Sequence, residues 1–488
     1  MKIAFISPEA VPFVKTGGLA DVSGALPKAL ANLGCEVKVY IPKYSDIDDN
    51  QFDLQYRRDI GEMSIKVAGN TRIVKLYQSK LPESNVIIIF IDCPYYFHRE
   101  TVYTIDEDED ERFILFSKGV IEAMRIEKWA PDIVHCNDWQ TGLIPLYIKD
   151  NYKDESLFSK TKTLFSIHNI GYQGRFSKSS LLKADLNERY YFREGPVEIE
   201  NTFSFLKTGL WFADIITTVS VTYSKEILTP EYGFGLENVL LLRRNSLYGI
   251  LNGVDYTDWN PAKDFYLPFH YSSNDLSGKL KNKKYLLDYF NLIFDDNIPL
   301  IGIISRLTDQ KGFDIFKEAL PELIKLNAQW IIVGSGEEKY EDLFRSLTNN
   351  FSSKVASYIG FNIELSHLVE AGSDMFLMPS RYEPCGLTQI YSLKYGTVPV
   401  VRKTGGLADT VQDWDEMSYQ ENDTGNGFSF YDYSGTALFS SVKRGIDTFP
   451  YKDTWNKIQK NGMSKDFSWD KSAREYVRLY KKLKVIAN

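Results

Sequence analysis

The sequence predicts an α/β protein made of two doubly wound, Rossmann-like domains, and three observations carry that prediction. Short apolar runs rich in Val and Ile alternate with helical segments, the series breaks near residue 255 and restarts, and one glycine-rich heptapeptide occurs in both halves.

The first series comprises residues 3–7, 37–41, 86–91, 133–136, 164–167, 215–219 and 248–251. Each run is almost continuously apolar, as expected of strands buried on both faces of a parallel sheet. Between the first two, Val22, Ala25, Leu26, Ala29, Leu30 and Leu33 recur at three- and four-residue spacing, and Gly34 follows as a stop. That is an amphipathic helix. An irregular stretch over 252–297 holds the Asn252–Gly253 turn, Pro261, Pro268 and a Lys-rich helical segment. The second series then follows at 300–304, 330–333, 375–378 and 398–401. The expected domains are 1–255 and 256–465, with a terminal segment 466–488 whose residues 469–483 have helical apolar spacing.

Composition excludes several other classes. The 488 residues are 43% apolar with a net charge of -8, which supports full-sized cores and argues against disorder or a nucleic-acid-coating protein. Cys35, Cys93, Cys136 and Cys385 form no CxxC pair, and the five histidines form no HExxH, so neither a disulfide framework nor a metal site is expected. A reducing cytoplasm fits that cysteine usage. The opening MKIAFISPEAVPF is interrupted by Glu9 and reads as a first strand rather than a leader, and the longest apolar run, VIIIFI at 86–91, is too short to span a bilayer. The acidic run Asp106–Glu111 is expected to be a solvated loop. No motif speaks to oligomeric state.

The candidate site residues lie where strands end. The heptapeptide KTGGLAD stands at 15–21 and again at 403–409, each time after a strand and before a helix. In the first copy Lys15, Gly17 and Gly18 suit an anion cradle, because glycine admits close backbone approach and a helix start supplies free N–H groups. The two copies need not do the same job. In the second domain Arg306 and Lys311, within SRLTDQKG, follow a strand and can neutralise a diphosphate. SRYEPCGLT at 380–388 follows another, placing Glu383 beside a turn whose Gly386, Leu387 and Thr388 amides open a helix. From the first domain, Asp138 in HCNDWQ and His168 in SIHNIGYQG follow strands, and a neutral His168 could donate a hydrogen bond to a sugar or phosphate.

Together these segments resemble the bacterial glycogen synthases and plant starch synthases, glycosyltransferase family 5. The likeness runs from PEAVPFVKTGGLADV through HCNDWQTG, SIHNIGYQG, ILNGVD and SRLTDQKG to SRYEPCGLTQIYSLKYGTVPVVRKTGGLADTV, across both domains in the family's order. It implies a GT-B fold with two domains facing a central cleft and a final helix crossing back to the first. It also implies retaining transfer of glucose to the 4-hydroxyl of an α-1,4-glucan, from ADP-glucose with UDP-glucose as the alternative donor, and with neither metal nor other cofactor. By the same resemblance Lys15, Gly17, Gly18, Arg306, Lys311 and the amides near Gly386, Leu387 and Thr388 meet the donor diphosphate. Asp138, His168 and Asn252 line the sugar, Glu383 and Cys385 adjoin it, and Tyr358 stacks on the base. An inactive, glucan-binding member of the family is the rival reading, against which the charged positions stand intact.

Overall fold

A computed structural model describes residues 1–485. The chain forms two compact units, Met1–Gly253 joined by the terminal helix that starts at Trp469, and Val254–Ser468. Among the described residues, no helix is long and apolar enough to cross a membrane.

The first unit is built on seven parallel strands: β1 (Lys2–Ile6), β2 (Glu36–Pro42), β3 (Ile87–Asp92), β4 (Ile133–Asn137), β5 (Lys162–Ile167), β6 (Ile215–Thr218) and β7 (Leu247–Gly249). Their order in space is β3-β2-β1-β4-β5-β6-β7, the doubly wound arrangement in which the strand order reverses between the parallel neighbours β1 and β4. The strand β1 is almost entirely buried, which is why it reads as a run of Ile, Ala and Phe rather than an alternating pattern, and β4 is buried throughout, its His135 and Asn137 included. Beyond β3 the sheet continues antiparallel through Asn70–Lys80, which pairs with Glu62–Val67 and Gln55–Tyr56. Those strands expose one face, and Glu62–Val67 alternates exposed and buried residues accordingly. Sequence reading missed this extension, because a half-polar alternation over six residues is a weaker signal than an apolar run.

Helix α1 (Gly18–Asn32) buries the apolar stripe seen in the sequence, and Gly34 at φ +84° ends it in the left-handed conformation that glycine tolerates. The acidic run is only in part the expected solvated loop, since Asp106 and Glu107 are exposed ahead of a helix but the second half is not. It opens helix α2 (Glu109–Ile126), where Glu109 and Asp110 are buried. Glu109 pairs with the fully buried Arg112 at 2.6 Å, Asp110 with Lys183 at 3.0 Å and Asp108 with Arg99 at 2.6 Å. Mutual repulsion is offset here because Arg99, Arg112 and Lys183 pair with five of the six acids, and the helix start favours negative charge.

The second unit repeats the plan with β8 (Leu300–Ile304), β9 (Gln329–Gly334), β10 (Val355–Ile359), β11 (Met375–Met378), β12 (Val398–Arg402) and β13 (Phe428–Phe430), in the spatial order β10-β9-β8-β11-β12-β13. Its reversal lies between β8 and β11. The Lys-rich segment forms a helix at Ser277–Tyr289. The terminal helix, Trp469–Val485, packs on α1 of the first unit. Tyr480 on it meets His135 Nδ1 at 2.7 Å, Ser472 donates to Leu251 O at 2.6 Å, and a Cβ on Gly253 would fall 2.5 Å from Trp469 Cα, so only glycine lets the helix seat there.

Candidate active site

In each unit the candidate residues collect at the carboxyl edge of the sheet, on both sides of its reversal, where open α/β sheets leave a crevice.

In the first unit the segment after β1 carries Glu9 and then Lys15–Gly18, while Asp138 follows β4 and His168 follows β5. Lys15, Gly17 and Gly18 are exposed, and Lys15 meets Asp21 of its own heptapeptide at 2.7 Å. A Cβ on Gly18 would touch nothing within 4 Å, so this glycine faces open space. The turn is held from behind by Glu9, which is 2% exposed and accepts hydrogen bonds from Thr16 N at 2.7 Å and Thr16 Oγ1 at 2.5 Å. Burial raises the proton affinity of the Glu9 carboxyl, against the lowering effect of those bonds. Sequence reasoning gave Glu9 no role. Its signal was a single charge within an otherwise apolar stretch at the sheet's reversal.

Asp138 adopts φ +55°, a conformation costly for a non-glycine residue and often found at functional positions. Its Oδ1 accepts the His168 N–H at 2.7 Å, and burial pushes its carboxyl up to about 7. His168 is pushed down to about 3 by burial and is therefore neutral. Its Nε2 lies 2.9 Å from Asn137 Oδ1, and Asn137 Nδ2 donates to Ile6 O at 2.9 Å. That amide orientation makes Nε2 the donor, so the ring's remaining Nδ1 is an acceptor. This revises the expected donor role: His168 can receive a hydroxyl proton but has no second N–H to give. Beside these residues lies a cavity of about 410 Å³ lined by Trp139, Tyr172, Gln173 and Phe234. Gly174, at φ +54°, is required there because its Cβ would sit 2.3 Å from the Trp139 ring. Asn252 is buried in the same unit, and its Oδ1 has no hydrogen-bond partner among the described residues.

In the second unit a cavity of about 360 Å³ is lined by Arg306 and Lys311 after β8, Gly334 at the end of β9, Phe361 after β10, and Ser380 and Thr388 after β11. Arg306 is exposed and makes no side-chain hydrogen bond or ion pair within the described residues. Lys311 instead meets Glu383 Oε2 at 2.6 Å, and Ser380 Oγ donates to the same oxygen at 3.0 Å. Glu383 and Cys385 are buried, and Gly386 takes φ +69° where its Cβ would meet Gln389 Oε1 at 2.4 Å. Leu387 and Thr388 follow as the start of the helix Thr388–Lys394.

Tyr358 is not part of that lining. It lies within β10 and packs on the core formed with Leu365, Leu368 and Val369, beneath Gly360. The aromatic side chain on the cavity is Phe361, 84% exposed, three residues further along the chain. Strand alternation and the turn at Gly360 decide which ring faces the ligand space, and spacing alone did not reveal the turn.

Two doubly wound units, each presenting anion-binding groups and a carboxylate at its sheet reversal, define a glycosyltransferase of the GT-B class. Residues 2–241 match the family model described as starch synthase catalytic domain, and residues 288–447 match glycosyl transferases group 1. The chain is 44% identical to a glycogen synthase of Thermosipho africanus over 99% of both chains. It is 43% identical to a glycogen synthase of Koribacter versatilis, over 100% of this chain and 99% of that one. Among solved structures, the catalytic domain of starch synthase IV from Arabidopsis thaliana, bound to ADP and acarbose, aligns with a TM-score of 0.89 at 32% identity over 99% of both chains. The chain belongs to the glycogen and starch synthase family.

Proposed function

We propose that the protein is a retaining glucosyltransferase that lengthens an α-1,4-glucan from ADP-glucose and releases ADP. The observation that carries the reading is the second unit's cavity, where an unpaired Arg306 and the Lys311–Glu383 pair stand beside the exposed ring of Phe361. Fixed cations suit a diphosphate whose negative charge grows as it leaves, and an aromatic face suits its base. A purine offers the larger stacking area, which favours adenine over uracil. Within the first unit, the exposed Lys15 and the open space at Gly18 suit an anionic group.

In this reaction the bond between glucose C1 and the donor phosphate breaks, and its electron pair stays on ADP. The 4-hydroxyl oxygen of the acceptor bonds to C1 on the same face, and its proton passes to the departing phosphate. The state of the two carboxyls supports this front-face route over a covalent glucosyl-enzyme. Glu383 Oε2 is engaged by both Lys311 and Ser380, and Asp138 retains its proton up to about pH 7, so neither is a strong nucleophile. Glu383 is assigned to donor hydroxyls, and Asp138 and neutral His168 to hydroxyls of the transferred sugar or acceptor end.

The test is to supply ADP-glucose or UDP-glucose with a glycogen primer, and to follow nucleotide release, product chain length and anomeric configuration. Faster turnover of ADP-glucose into α-linked chains is expected, with Arg306→Ala lowering kcat/KM by roughly 100-fold. Absence of turnover with both donors would overturn the function, and a glucosyl adduct trapped on Glu383 or Asp138 would overturn the front-face step.

A further inference from the structure

Gln389 is a buried polar side chain to which the proposed chemistry gives no part. It stands in the first turn of the helix Thr388–Lys394, fully buried, and its Oε1 has no hydrogen-bond partner among the described residues. Buried polar atoms are ordinarily paired, and an apolar side chain of similar size would fill this space with no orphaned oxygen. What the amide supplies that such a side chain cannot is its pair of N–H donors.

That pair is fully engaged. Gln389 Nε2 lies 3.0 Å from Cys385 O, 2.9 Å from Gly386 O and 3.2 Å from Thr410 Oγ1. Two of those three oxygens are carbonyls, which can only accept, so the nitrogen and not the oxygen of the amide must face them. The turn also packs directly on this side chain. Gly386 takes φ +69°, and a Cβ there would fall 2.4 Å from Gln389 Oε1, so the backbone comes as close to the amide as glycine permits.

From Thr410 the bonding returns to the turn. Thr410 Oγ1, at the end of the helix Gly405–Thr410, donates to Gly406 O at 2.7 Å, and Gly406 N donates to Glu383 O at 3.1 Å. The hydrogen bonds form a circuit that leaves the turn at Cys385 and Gly386, passes through Gln389, Thr410 and Gly406, and re-enters at Glu383. On the cavity side the Glu383 carboxylate is held by Lys311 at 2.6 Å and Ser380 at 3.0 Å. Glu383 is therefore fixed at both ends, its carboxylate from the front and its carbonyl from behind. Of the two side chains in the circuit, Gln389 is the one that bonds the turn itself.

We propose, resting on the reading of Glu383 as a carboxylate that faces the donor, that Gln389 is a positioning residue for the transfer step. Its N–H groups lock the Cys385–Gly386 turn, and so hold Glu383 and the amides that follow it in register with the departing diphosphate. Gln389 itself touches no substrate.

Gln389→Met, Thr410→Val and the double variant test it, each checked by circular dichroism and melting temperature for a wild-type fold. In Gln389→Met kcat is expected to fall about 10- to 100-fold through displacement of Glu383. The donor and glycogen KM values should stay within about 3-fold of wild type, since Arg306 and the first unit's groups stand on other segments. Amide hydrogen exchange read by mass spectrometry should quicken over residues 383–388 and stay unchanged over Leu300–Ile304. Thr410→Val should lose less, and the double variant should fall no further than Gln389→Met alone, because both act in one circuit. A folded Gln389→Met protein with wild-type kcat, or with wild-type exchange over 383–388, would overturn the proposal. Fully additive losses in the double variant, or faster exchange throughout the second unit, would make Gln389 a packing residue and also overturn it. If the wild-type protein transfers no glucose while Gln389→Met loosens 383–388 alone, the lock on the turn stands and the glucosyltransferase reading falls.

Discussion

At Lys15–Asp21 of the first KTGGLAD, Gly18 faces open space and a Cβ on Gly17 would make ordinary contact with Glu9 Oε1 at 3.7 Å, whereas at Lys403–Asp409 the same residues press against backbone. A Cβ on Gly18 would meet nothing, but one on Gly405 would lie 2.0 Å from Glu383 O and one on Gly406 1.9 Å from Cys385 O. The Gly406 N–H in fact donates to Glu383 O at 3.1 Å. The lysines differ in the same sense. Among the described residues Lys15 is exposed and pairs with its own Asp21, while Lys403 is largely covered and bonds Glu416 at 2.5 Å and Tyr431 OH at 2.8 Å. The first copy is thus shaped for something outside the protein. The second is a buttress that sets the position of the Glu383 loop. One heptapeptide serves both purposes because small residues at a helix start allow close approach, whether by a ligand or by the chain itself.

The strongest way to break this contrast is to add one methyl group to each copy. Gly406→Ala must displace the backbone at Cys385 and with it Glu383, and kcat/KM is expected to drop by about 100-fold or more, since a misplacement near 1 Å can cost that much. Gly18→Ala should keep the wild-type melting temperature, and any loss should appear as a raised donor KM. Equal kinetic defects in the two variants, or a Gly406→Ala protein with normal kcat, would remove the buttress role.

Exchange of the lysines gives the next largest separation. Lys15→Ala should lower kcat/KM for the donor by roughly 10- to 100-fold through loss of a charged hydrogen bond, without change in thermal stability. Lys403→Ala should do the reverse, lowering the melting temperature by a few degrees and leaving donor kinetics near wild type. Calorimetry and initial rates on both purified variants decide it, and a destabilised Lys15→Ala would contradict the open-cradle reading.

How far these differences were legible in the sequence depends on what each residue answers to. The parallel strands were legible because burial on both faces leaves an unbroken apolar run, as in Leu300–Ile304 and Met375–Met378. The antiparallel extension was not, since its strands alternate polar and apolar residues, nor was the small sheet of Arg175–Phe176, Glu198–Ile199 and Thr202–Ser204, since two or three residues carry no periodicity. Arg306 and Lys311 were legible as cations at a strand end. The Lys311–Glu383 pair was not, because it joins residues 72 positions apart through the fold. Likewise the repeated heptapeptide announced two turns, but only the surrounding backbone distinguishes a cradle from a buttress.

Glu9 sharpens the comparison at a smaller scale. The first copy lacks a packed backbone behind its glycines, and its turn depends on the Glu9 carboxylate holding Thr16. Both Thr16 bonds end on Glu9 Oε2, so Glu9→Gln keeps the volume but removes the charge that strengthens them. A donor KM raised by about 10-fold with modest change in kcat is expected, about the size of one charged hydrogen bond. A Glu9→Gln protein with unaltered donor KM would show that the turn is set by α1 alone.

The smallest effect concerns pH and belongs to the first unit, where Asp138 stands in the field of Glu9, whereas Glu383 by the second copy is ion-paired. Asp138 binds its proton up to about 7 in the folded chain and releases it near the ordinary carboxyl value of 3.8 when unfolded. Its contribution to stability is therefore complete below about pH 4 and is lost as pH rises towards 7. His168 has the opposite sign. Folded, it stays neutral down to about 3, against 6.5 when unfolded, so stability is lost as pH falls from about 6.5 towards 3. Between about pH 4 and 6.5 the two slopes oppose each other, and the intact protein should show little net dependence from this pair. Asp138→Asn should unmask the histidine, giving a urea midpoint that climbs more steeply with pH over that interval, and His168→Gln should unmask the aspartate, giving one that declines. Parallel profiles for the two variants would mean that neither group carries the burial that the fold imposes on them.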